Sequence, residues 1–199
     1  DLAGGNLLFL LFLTMIASLI LGMGMPTTAC YIVLAILVAP TLIKMGIPPI
    51  AAHLFVFYFG IISAITPPVA LAAYASAGIA GAPPMKTGLI ACKLGLAAFI
   101  IPYMFVYGPS MLAIGSVTTI LWTALTGLLG SASIAAAVEG WIFTRLTLPF
   151  RIFLAAGGLC LIKPGLFTDL IGFFILVIVL GINFLAYRSE KRHRIMEGL

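Results

Sequence analysis

The sequence predicts an all-α integral membrane protein, a polytopic helical bundle with a re-entrant hairpin and a broken transmembrane helix. Of its 199 residues, 63% are hydrophobic and only 8% are charged, and the mean hydropathy is +1.29. Soluble domains usually carry about 25% charged residues. Two short clusters of Gly, Pro and Thr interrupt the apolar sequence, at residues 22–28 and 66–68. Because an unpaired backbone group inside a bilayer costs several kcal/mol, we expect both clusters to bind something.

The positive charge of the chain is concentrated near its carboxy terminus. The net charge of +5 would suggest nucleic acid as a partner of a soluble protein, but four of the ten basic residues lie within residues 188–199. These residues are Arg188, Lys191, Arg192 and Arg194. We interpret them as a basic cytoplasmic tail beside the lipid bilayer and expect no nucleic-acid partner. Cys30, Cys92 and Cys160 lack paired spacing, so we expect small core residues rather than a metal site or disulfides.

The first element is a pair of apolar runs, residues 6–22 and 26–44, joined by the glycine-rich cluster. Each run is close to the minimum of about 20 residues that a bilayer crossing needs. Two complete spans are possible, but the joint holds no charged residue that would favour the headgroup region. We therefore predict a re-entrant hairpin over residues 6–45. Pro40 should kink its second arm, and Lys44 and Gly46 should end it.

The second element, residues 50–80, is too long for one straight span. It is interrupted at Thr66-Pro67-Pro68, where two prolines remove two backbone donors and disfavour the helical conformation at Thr66. We predict a broken helix with one half over about residues 51–65 and the other over about 68–78. A loop should follow at residues 81–84, where Gly and Pro cluster.

The remaining apolar segments predict further membrane helices. Residues 87–107 form one span interrupted by Pro102, and residues 111–138, 150–162 and 166–187 form three more. The segment 111–138 is rich in small residues, which let membrane helices pack closely. Residues 139–151 have an interfacial character. We accordingly divide the chain into a region 1–110, additional carboxy-terminal helices over 111–187, and the basic tail.

The distribution of basic residues predicts the orientation of the chain. If residues 150–162 cross the membrane, four further basic residues join the four of the tail on the cytoplasmic side: Lys86, Lys93, Arg145 and Arg151. Only Lys44 and Lys163 then face outward, which gives eight basic residues against two and agrees with the positive-inside rule. Without that crossing the bias disappears. We therefore predict the crossing, a cytoplasmic carboxy terminus and a hairpin whose tip enters from outside.

The first break has the features of an ion site. The helix that ends near Gly22 presents unpaired carbonyls, which attract cations, and the helix that starts at Pro26 presents unpaired N–H groups, which attract anions. Pro26 suits a first helical turn. Thr27 and Thr28 add hydroxyl oxygens, and glycines at 22 and 24 allow close approach and unusual backbone angles.

The second break offers a similar set of oxygen atoms. It contains the carbonyls of Ala64 and Ile65, the hydroxyls of Ser63 and Thr66, and a predicted helix start at Pro68. Oxygen ligands without carboxylates suit Na⁺ better than Ca²⁺ or a transition metal. We expect the two breaks to meet near the membrane midplane. From these residues alone, two kinks that serve only helix packing remain the alternative.

No arrangement of residues predicts an enzyme. His53 and Ser63 would lie about 15 Å apart on one helix, so they cannot form a catalytic dyad. Asp169 and Glu139 lie near segment ends and predict no proton relay within the membrane. We expect Asp169 to cap a helix start or to pair with Lys163. A membrane-embedded enzyme is therefore disfavoured, whereas a structural or accessory membrane subunit remains an alternative.

Three stretches carry a resemblance to a known family: GMGMPTTACYIVLAILVAPTL, AAHLFVFYFGIISAITPPVALAAYASAGIAG and IIPYMFVYGPSML. In their order and spacing, they resemble the large membrane subunit of tripartite ATP-independent periplasmic (TRAP) transporters. The chain is most similar to fused permeases that work with a TAXI-type substrate-binding protein. The resemblance covers residues 6–112, and residues 145–199 resemble the extra carboxy-terminal helices of the fused form.

The resemblance implies a secondary transporter with an elevator mechanism, built from two inverted repeats that each contain a hairpin and a broken helix. It implies Na⁺-driven uptake of a small organic acid across a bacterial or archaeal inner membrane, with no organic cofactor. The chain would supply the second repeat as a carboxy-terminal portion of the permease. Its expected partners are a periplasmic TAXI-type binding protein, the remaining permease repeat and the small-subunit helices.

The resemblance also implies roles for residues at the two breaks. We predict Na⁺ ligands at Gly22, Gly24, Thr28, Ser63, Ile65 and Thr66. We predict substrate contacts at Met25, Pro26, Thr27, Pro67 and Pro68. The chain departs from the common pattern of the family at Ala70, where Gly is usual, and at Thr27 or Thr28, where Asp is frequent.

Overall fold

The computed structural model describes residues 6–197 and their side chains, except those of Pro109 and of residues 190–197. The tail residues Lys191, Arg192 and Arg194 therefore lie outside the described side chains. Every regular element of the described part is helical. Within the described residues, three segments are long and apolar enough to span a membrane: Thr27–Lys44, Val117–Glu139 and Leu166–Ser189. The predicted all-α, multi-pass membrane fold is confirmed.

The chain divides into two compact units, Asp1–Leu112 and Ala113–Leu199. The helices of the first unit are α1 (Leu7–Gly22), α2 (Thr27–Leu37), α3 (Ala39–Lys44), α4 (Pro49–Ile62), α5 (Leu71–Ala80), α6 (Pro84–Leu94) and α7 (Ile101–Tyr107). Short 3-10 turns lie at Ser63–Ile65, Leu96–Phe99 and Pro109–Leu112. The helices of the second unit are α8 (Val117–Glu139), α9 (Leu148–Ile162) and α10 (Leu166–Glu197).

The hairpin of the first unit is formed by α1 followed by α2 and α3. Asn6 caps α1, because its side-chain oxygen accepts the N–H of Phe9 at 3.2 Å, as N-cap asparagines do. The kink predicted at Pro40 is present: α2 ends at Leu37, and α3 begins with Pro40 in its first turn. Since Thr27–Lys44 is apolar enough to span by itself, the re-entrant path of the hairpin stays a prediction.

Helix α4 lies at the centre of the first unit. Its buried Phe55 and Phe59 form edge-to-face pairs with Tyr103 of α7, with ring centroids 5.3 and 6.0 Å apart. The Tyr103 hydroxyl donates to the sulfur of Met15 in α1 at 3.3 Å. These contacts tie α1, α4 and α7 into one apolar core, so α4 holds both the hairpin and the second break in place.

Two helix boundaries differ from the sequence predictions. The second half of the broken helix starts at Leu71, not at Pro68, because Ala70 takes the left-handed conformation (φ 35°, ψ 50°). The span over residues 87–107 bends by 66° between α6 and α7. That bend follows Gly95. Pro102 instead lies in the first turn of α7, where its missing donor costs nothing.

The helices of the second unit pack backbone against backbone through glycines. A Cβ atom added to Gly130 of α8 would lie 2.7 Å from the carbonyl oxygen of Gly158 in α9. One added to Gly172 of α10 would lie 2.8 Å from the carbonyl oxygen of Gly157. Only glycine fits such approaches, which agrees with the small-residue packing predicted for this region. Helix α9 has 15 residues, a length of about 22 Å, and its membrane crossing stays a prediction.

The connection between α8 and α9 is fixed by side-chain bonds to backbone groups. The side-chain oxygen of the buried Asn183 in α10 accepts the N–H groups of Phe143 and Thr144 at 3.0 and 3.2 Å. Arg151 donates to the carbonyls of Ala137 and Val138, both at 2.8 Å. Arg151 therefore supplies donors to two of the last carbonyls of α8, which have no acceptor role within the helix.

The expectation for Asp169 is wrong. Its backbone N–H already bonds to the carbonyl of Gly165 at 2.9 Å, so Asp169 lies inside α10 and does not cap it. Lys163 is exposed. The carboxylate instead accepts the indole N–H of Trp122 in α8 at 2.8 Å. The partner of Asp169 therefore comes from α8, a helix distant in sequence from α10.

Candidate functional site

The first break is a tight turn between α1 and α2. Gly24 has φ +80°, a conformation that favours glycine. Pro26 precedes the first turn of α2 without a side-chain cap, and its carbonyl accepts the N–H of Cys30 at 2.9 Å. The N–H groups of the first helical residues, beginning with Thr27 and Thr28, therefore have no acceptor within the helix. The turn presents free donors at the start of α2.

The second break leaves backbone acceptors without donors. After α4 and the turn at Ser63–Ile65, Thr66 is extended (φ −100°, ψ 119°). Pro67 and Pro68 have no N–H, so the carbonyl of Ala64 loses the donors three and four residues ahead. No backbone N–H group in the described part of the chain bonds to the carbonyl of Ala64 or Ile65. Two carbonyl oxygens at this break can therefore bind a ligand.

Two hydroxyl groups border these carbonyls. The buried Ser63 donates to the carbonyl of Gly60 at 2.6 Å, and the half-buried Thr66 donates to the carbonyl of Ile62 at 2.8 Å. A hydroxyl that donates its hydrogen keeps two lone pairs. Both oxygen atoms therefore remain able to bind a cation while they stabilise the bend of the helix.

The two breaks meet at Gly22. A Cβ atom on this glycine would lie 2.7 Å from the Ser63 hydroxyl oxygen, 2.9 Å from the Gly60 carbonyl oxygen and 3.1 Å from the Cys30 sulfur. No side chain fits in this space. The end of α1 therefore lies directly against the residues that lead into the second break. The meeting of both breaks at the membrane midplane stays a prediction.

The other predicted site residues occupy different surroundings. Met25 packs against the core of the first unit. Ile65 lies 2.8 Å from the position of a Cβ atom on Gly95, and Pro67 lies 3.3 Å from one on Gly88. Five predicted residues are exposed: Gly24, Pro26, Thr27, Thr28 and Pro68. The structure thus brings together Gly22 and Ser63, whereas the two threonines of the first break lie on the surface of the unit.

Ser18 is a polar residue near the contact that the sequence analysis missed. Its side chain is fully buried, and its hydroxyl oxygen has no hydrogen-bond partner. It precedes Gly22 by one helical turn. The available signal is the spacing of Thr14, Ser18 and Gly22, which puts three small or polar residues on one face of α1. An unpartnered buried hydroxyl is costly unless a ligand completes it.

His53 lies apart from this contact. Its Nδ1 atom is 3.1 Å from the hydroxyl oxygen of Tyr31. These two residues, with Ile50, Leu54 and Phe57, line an apolar cavity of about 410 Å³. A hydrogen bond to a neighbouring helix accounts for His53. Among the described side chains, which exclude those of residues 190–197, no three of His, Cys, Asp or Glu are grouped so as to hold a metal.

Comparisons with known proteins identify the family. The family model described as "Tripartite ATP-independent periplasmic transporter, DctM component" matches residues 1–120, which is more than half of the 199 residues. No curated protein and no solved structure matches the chain. The family match implies a periplasmic substrate-binding protein and a small membrane subunit as partners. The chain therefore belongs to the TRAP transporter family, in which it is a membrane permease component.

Proposed function

We propose that this chain supplies one half of the site of a Na⁺-coupled transporter, which takes up a small organic acid. The observation that carries the proposal is the contact of Gly22 with Ser63, next to the donor-free carbonyls of Ala64 and Ile65. Transmembrane helices that are interrupted near the middle of the membrane are typical of the ion and substrate sites of transporters.

The donor set of the second break suits an alkali cation. The carbonyl oxygens of Ala64 and Ile65 and the hydroxyl oxygens of Ser63 and Thr66 are uncharged, hard ligands, which Na⁺ accepts. Bound Na⁺ would take the place of the N–H donors that proline cannot supply to these carbonyls. The buried hydroxyl of Ser18 offers a further oxygen on the neighbouring helix.

The start of α2 suits a carboxylate. Its free N–H groups and the positive end of its helix dipole favour an anion. Thr27 and Thr28 are exposed there, so the remaining permease repeat would close the other side of the substrate site. Gly22 lies between the cation site and this turn, so a cation and a carboxylate bound there would attract each other by their opposite charges, which is the coupling that symport requires.

We infer a TAXI-type periplasmic binding protein, which delivers the substrate, and small-subunit helices in the same or a separate chain. The location would be a bacterial or archaeal inner membrane with the carboxy terminus in the cytoplasm, as the eight-to-two distribution of basic residues favours.

The proposal is tested by Thr66→Ala and Thr28→Ala in the complete permease, reconstituted with its binding protein. Loss of the Thr66 hydroxyl, which belongs to the cation donor set, should raise the Na⁺ concentration for half-maximal uptake roughly tenfold, because a bond to a charged group is worth about 1.5 kcal/mol or more. Loss of the Thr28 hydroxyl, which only the family resemblance implies as a Na⁺ ligand, should have the same effect. The measurement is the rate of organic-acid uptake into proteoliposomes at a series of Na⁺ concentrations.

Thr87→Ala is the matched control. Thr87 is half-buried and donates to the carbonyl four residues earlier, Pro83, at 3.1 Å, as Thr66 does to Ile62, but it lies outside the breaks. Its loss should leave the Na⁺ dependence unchanged. If Thr66→Ala and Thr28→Ala showed the same Na⁺ activation as the control Thr87→Ala, the two breaks would be kinks that serve only helix packing, as expected of an accessory subunit.

A further inference from the structure

We propose that Tyr74 is a positioning residue of the second break. Its hydroxyl holds the chain after the two prolines in one conformation and thereby sets the geometry of the break. The proposal rests on the proposed function in one respect, because the carbonyls of Ala64 and Ile65 in this break are the ones assigned to Na⁺. Tyr74 acts on the ion through the backbone of the break and is not itself a ligand.

Tyr74 lies in the first turn of α5 and reaches back across the break. Its backbone N–H bonds to the carbonyl of Ala70, the left-handed residue, at 2.9 Å. Its side-chain hydroxyl donates to the carbonyl of Pro68 at 2.7 Å. The half-buried side chain therefore spans the left-handed residue and joins α5 to the second proline.

The Tyr74 hydroxyl takes the place of a missing backbone donor. In a continuous helix the carbonyl of Pro68 would accept the N–H of Ala72, four residues ahead. The chain turns at Ala70 instead, and no backbone N–H group in the described part bonds to the Pro68 carbonyl. A carbonyl without a donor is costly in lipid. The hydroxyl of Tyr74 therefore stabilises this path of the chain over others.

Helix α6 holds the ring of Tyr74 in position. A Cβ atom added to the buried Gly88 of α6 would lie 3.1 Å from Cε1 of Tyr74 and 3.3 Å from Cγ of Pro67. The Tyr74 hydroxyl oxygen lies 3.6 Å from the sulfur of Met85, also in α6. The ring is thus packed between α6 and the break, so its hydroxyl is already oriented toward the Pro68 carbonyl.

The two ends of the break are fixed by different side chains. The hydroxyls of Ser63 and Thr66 bond to carbonyls of α4, before the prolines. The Tyr74 hydroxyl bonds after the prolines. Because the carbonyls of Ala64 and Ile65 lie between helices held at both ends, release of the second end should lower the fraction of molecules in which they are correctly placed. The apparent affinity for a cation falls with that fraction.

Tyr74→Phe in the complete permease, reconstituted with its binding protein, tests the proposal. The variant keeps the ring and removes only the hydroxyl. We expect the Na⁺ concentration for half-maximal uptake to rise about fivefold, the factor that corresponds to one ordinary hydrogen bond. The maximal rate at saturating Na⁺ should stay unchanged, because bound Na⁺ favours the ordered break. A lower maximal rate at an unchanged half-maximal Na⁺ concentration would indicate a purely structural role and overturn the proposal.

Tyr58→Phe is the matched control. Tyr58 is half-buried in α4, and its ring forms an edge-to-face pair with Phe105 at 5.8 Å. Within the described residues, its hydroxyl makes no hydrogen bond. Removal of this hydroxyl should change neither the half-maximal Na⁺ concentration nor the maximal rate. An equal shift in Tyr58→Phe and Tyr74→Phe would contradict a specific role of Tyr74.

Amide hydrogen exchange tests the hold of Tyr74 on the break without any transport measurement. The N–H of the buried Ala70 bonds to the carbonyl of Thr66 at 3.2 Å and reports on the break. In the complete permease without Na⁺, Tyr74→Phe should speed the exchange of residues 66–73 about fivefold, and Tyr58→Phe should not. Added Na⁺ should slow this exchange again.

The two measurements distinguish failure of this proposal from failure of the proposed function. Unchanged exchange in Tyr74→Phe would overturn the role of Tyr74, whichever ion the permease uses. Faster exchange in Tyr74→Phe, together with uptake by the unaltered permease that does not respond to Na⁺, would support the hold of Tyr74 on the break and overturn the Na⁺ coupling.

Discussion

The two units of the chain place their buried polar groups in different parts of the structure. In the described part of the first unit, the groups lacking partners include backbone atoms at a helix interruption, the carbonyls of Ala64 and Ile65, besides the side chain of Ser18. In the second unit, the helices are continuous and the buried polar groups are side chains, such as Asn183 and Asp169. An interruption creates uncharged ligands for an ion, whereas a continuous helix must present polar chemistry through its side chains.

Glycine has a different role in each unit as well. Gly22 brings the end of one helix against the Ser63 hydroxyl and the Gly60 carbonyl. Gly130 and Gly158 bring the backbones of α8 and α9 together, each carbonyl within 2.8 Å of the other glycine's Cβ position. The first contact adjoins candidate ligands, and the second only packs helices. Substitutions in the two units should therefore have separable effects.

The largest effect should come from Gly22→Val. Its side chain would overlap Ser63 and the Gly60 carbonyl, which lie less than 3.0 Å from the added Cβ position. We expect a loss of about 3 kcal/mol in the free energy of unfolding and loss of Na⁺-dependent uptake. The measurements are thermal unfolding in detergent and transport by the complete permease.

Gly78→Val is the control for this substitution. Gly78 lies in α5, and a Cβ atom added there meets nothing within 4 Å. Its replacement should leave the unfolding temperature nearly unchanged. Equal stability of the two variants would contradict the close contact between the breaks.

A smaller effect should follow from Asn183→Ala in the second unit. The change leaves the buried N–H of Thr144 and the half-buried N–H of Phe143 without an acceptor. We expect a loss of about 2 kcal/mol, measured by thermal unfolding. Asn6→Ala, which removes the exposed cap of α1, should cost about 1 kcal/mol. A larger loss of unfolding free energy in Asn6→Ala than in Asn183→Ala would contradict this expected order.

The smallest effect should be the gain from Ala70→Gly. Ala70 has φ 35° and ψ 50°, a left-handed conformation that costs residues with a Cβ atom about 1 kcal/mol. Glycine should raise the free energy of unfolding by about that amount. In Ala75→Gly, within the regular part of α5, the same change should lower it by about 1 kcal/mol. Both values are measured by thermal unfolding. If the two substitutions changed the free energy of unfolding in the same direction, the left-handed conformation of Ala70 would be ruled out.

The backbone conformation of Ala70 explains why glycine is usual at this position in the family. The sequence resemblance marks this position as a departure, because Gly is usual there. The structure supplies the reason, since Ala70, two residues after Pro68, has positive φ. The sequence predicted the break itself but put the next helix start at Pro68, because a left-handed residue leaves no mark in composition or hydropathy.

The sequence by itself determined the membrane class, the helical content and the positions of both breaks. These features are local: proline lacks an N–H wherever it lies, and an apolar chain in lipid must satisfy its own backbone. Only the tertiary structure decided that Gly22 touches Ser63, that Asn183 holds Thr144, and that Asp169 bonds to Trp122, 47 residues away. Such pairs depend on which helix faces pack together, and that choice is made by the shapes of many side chains at once.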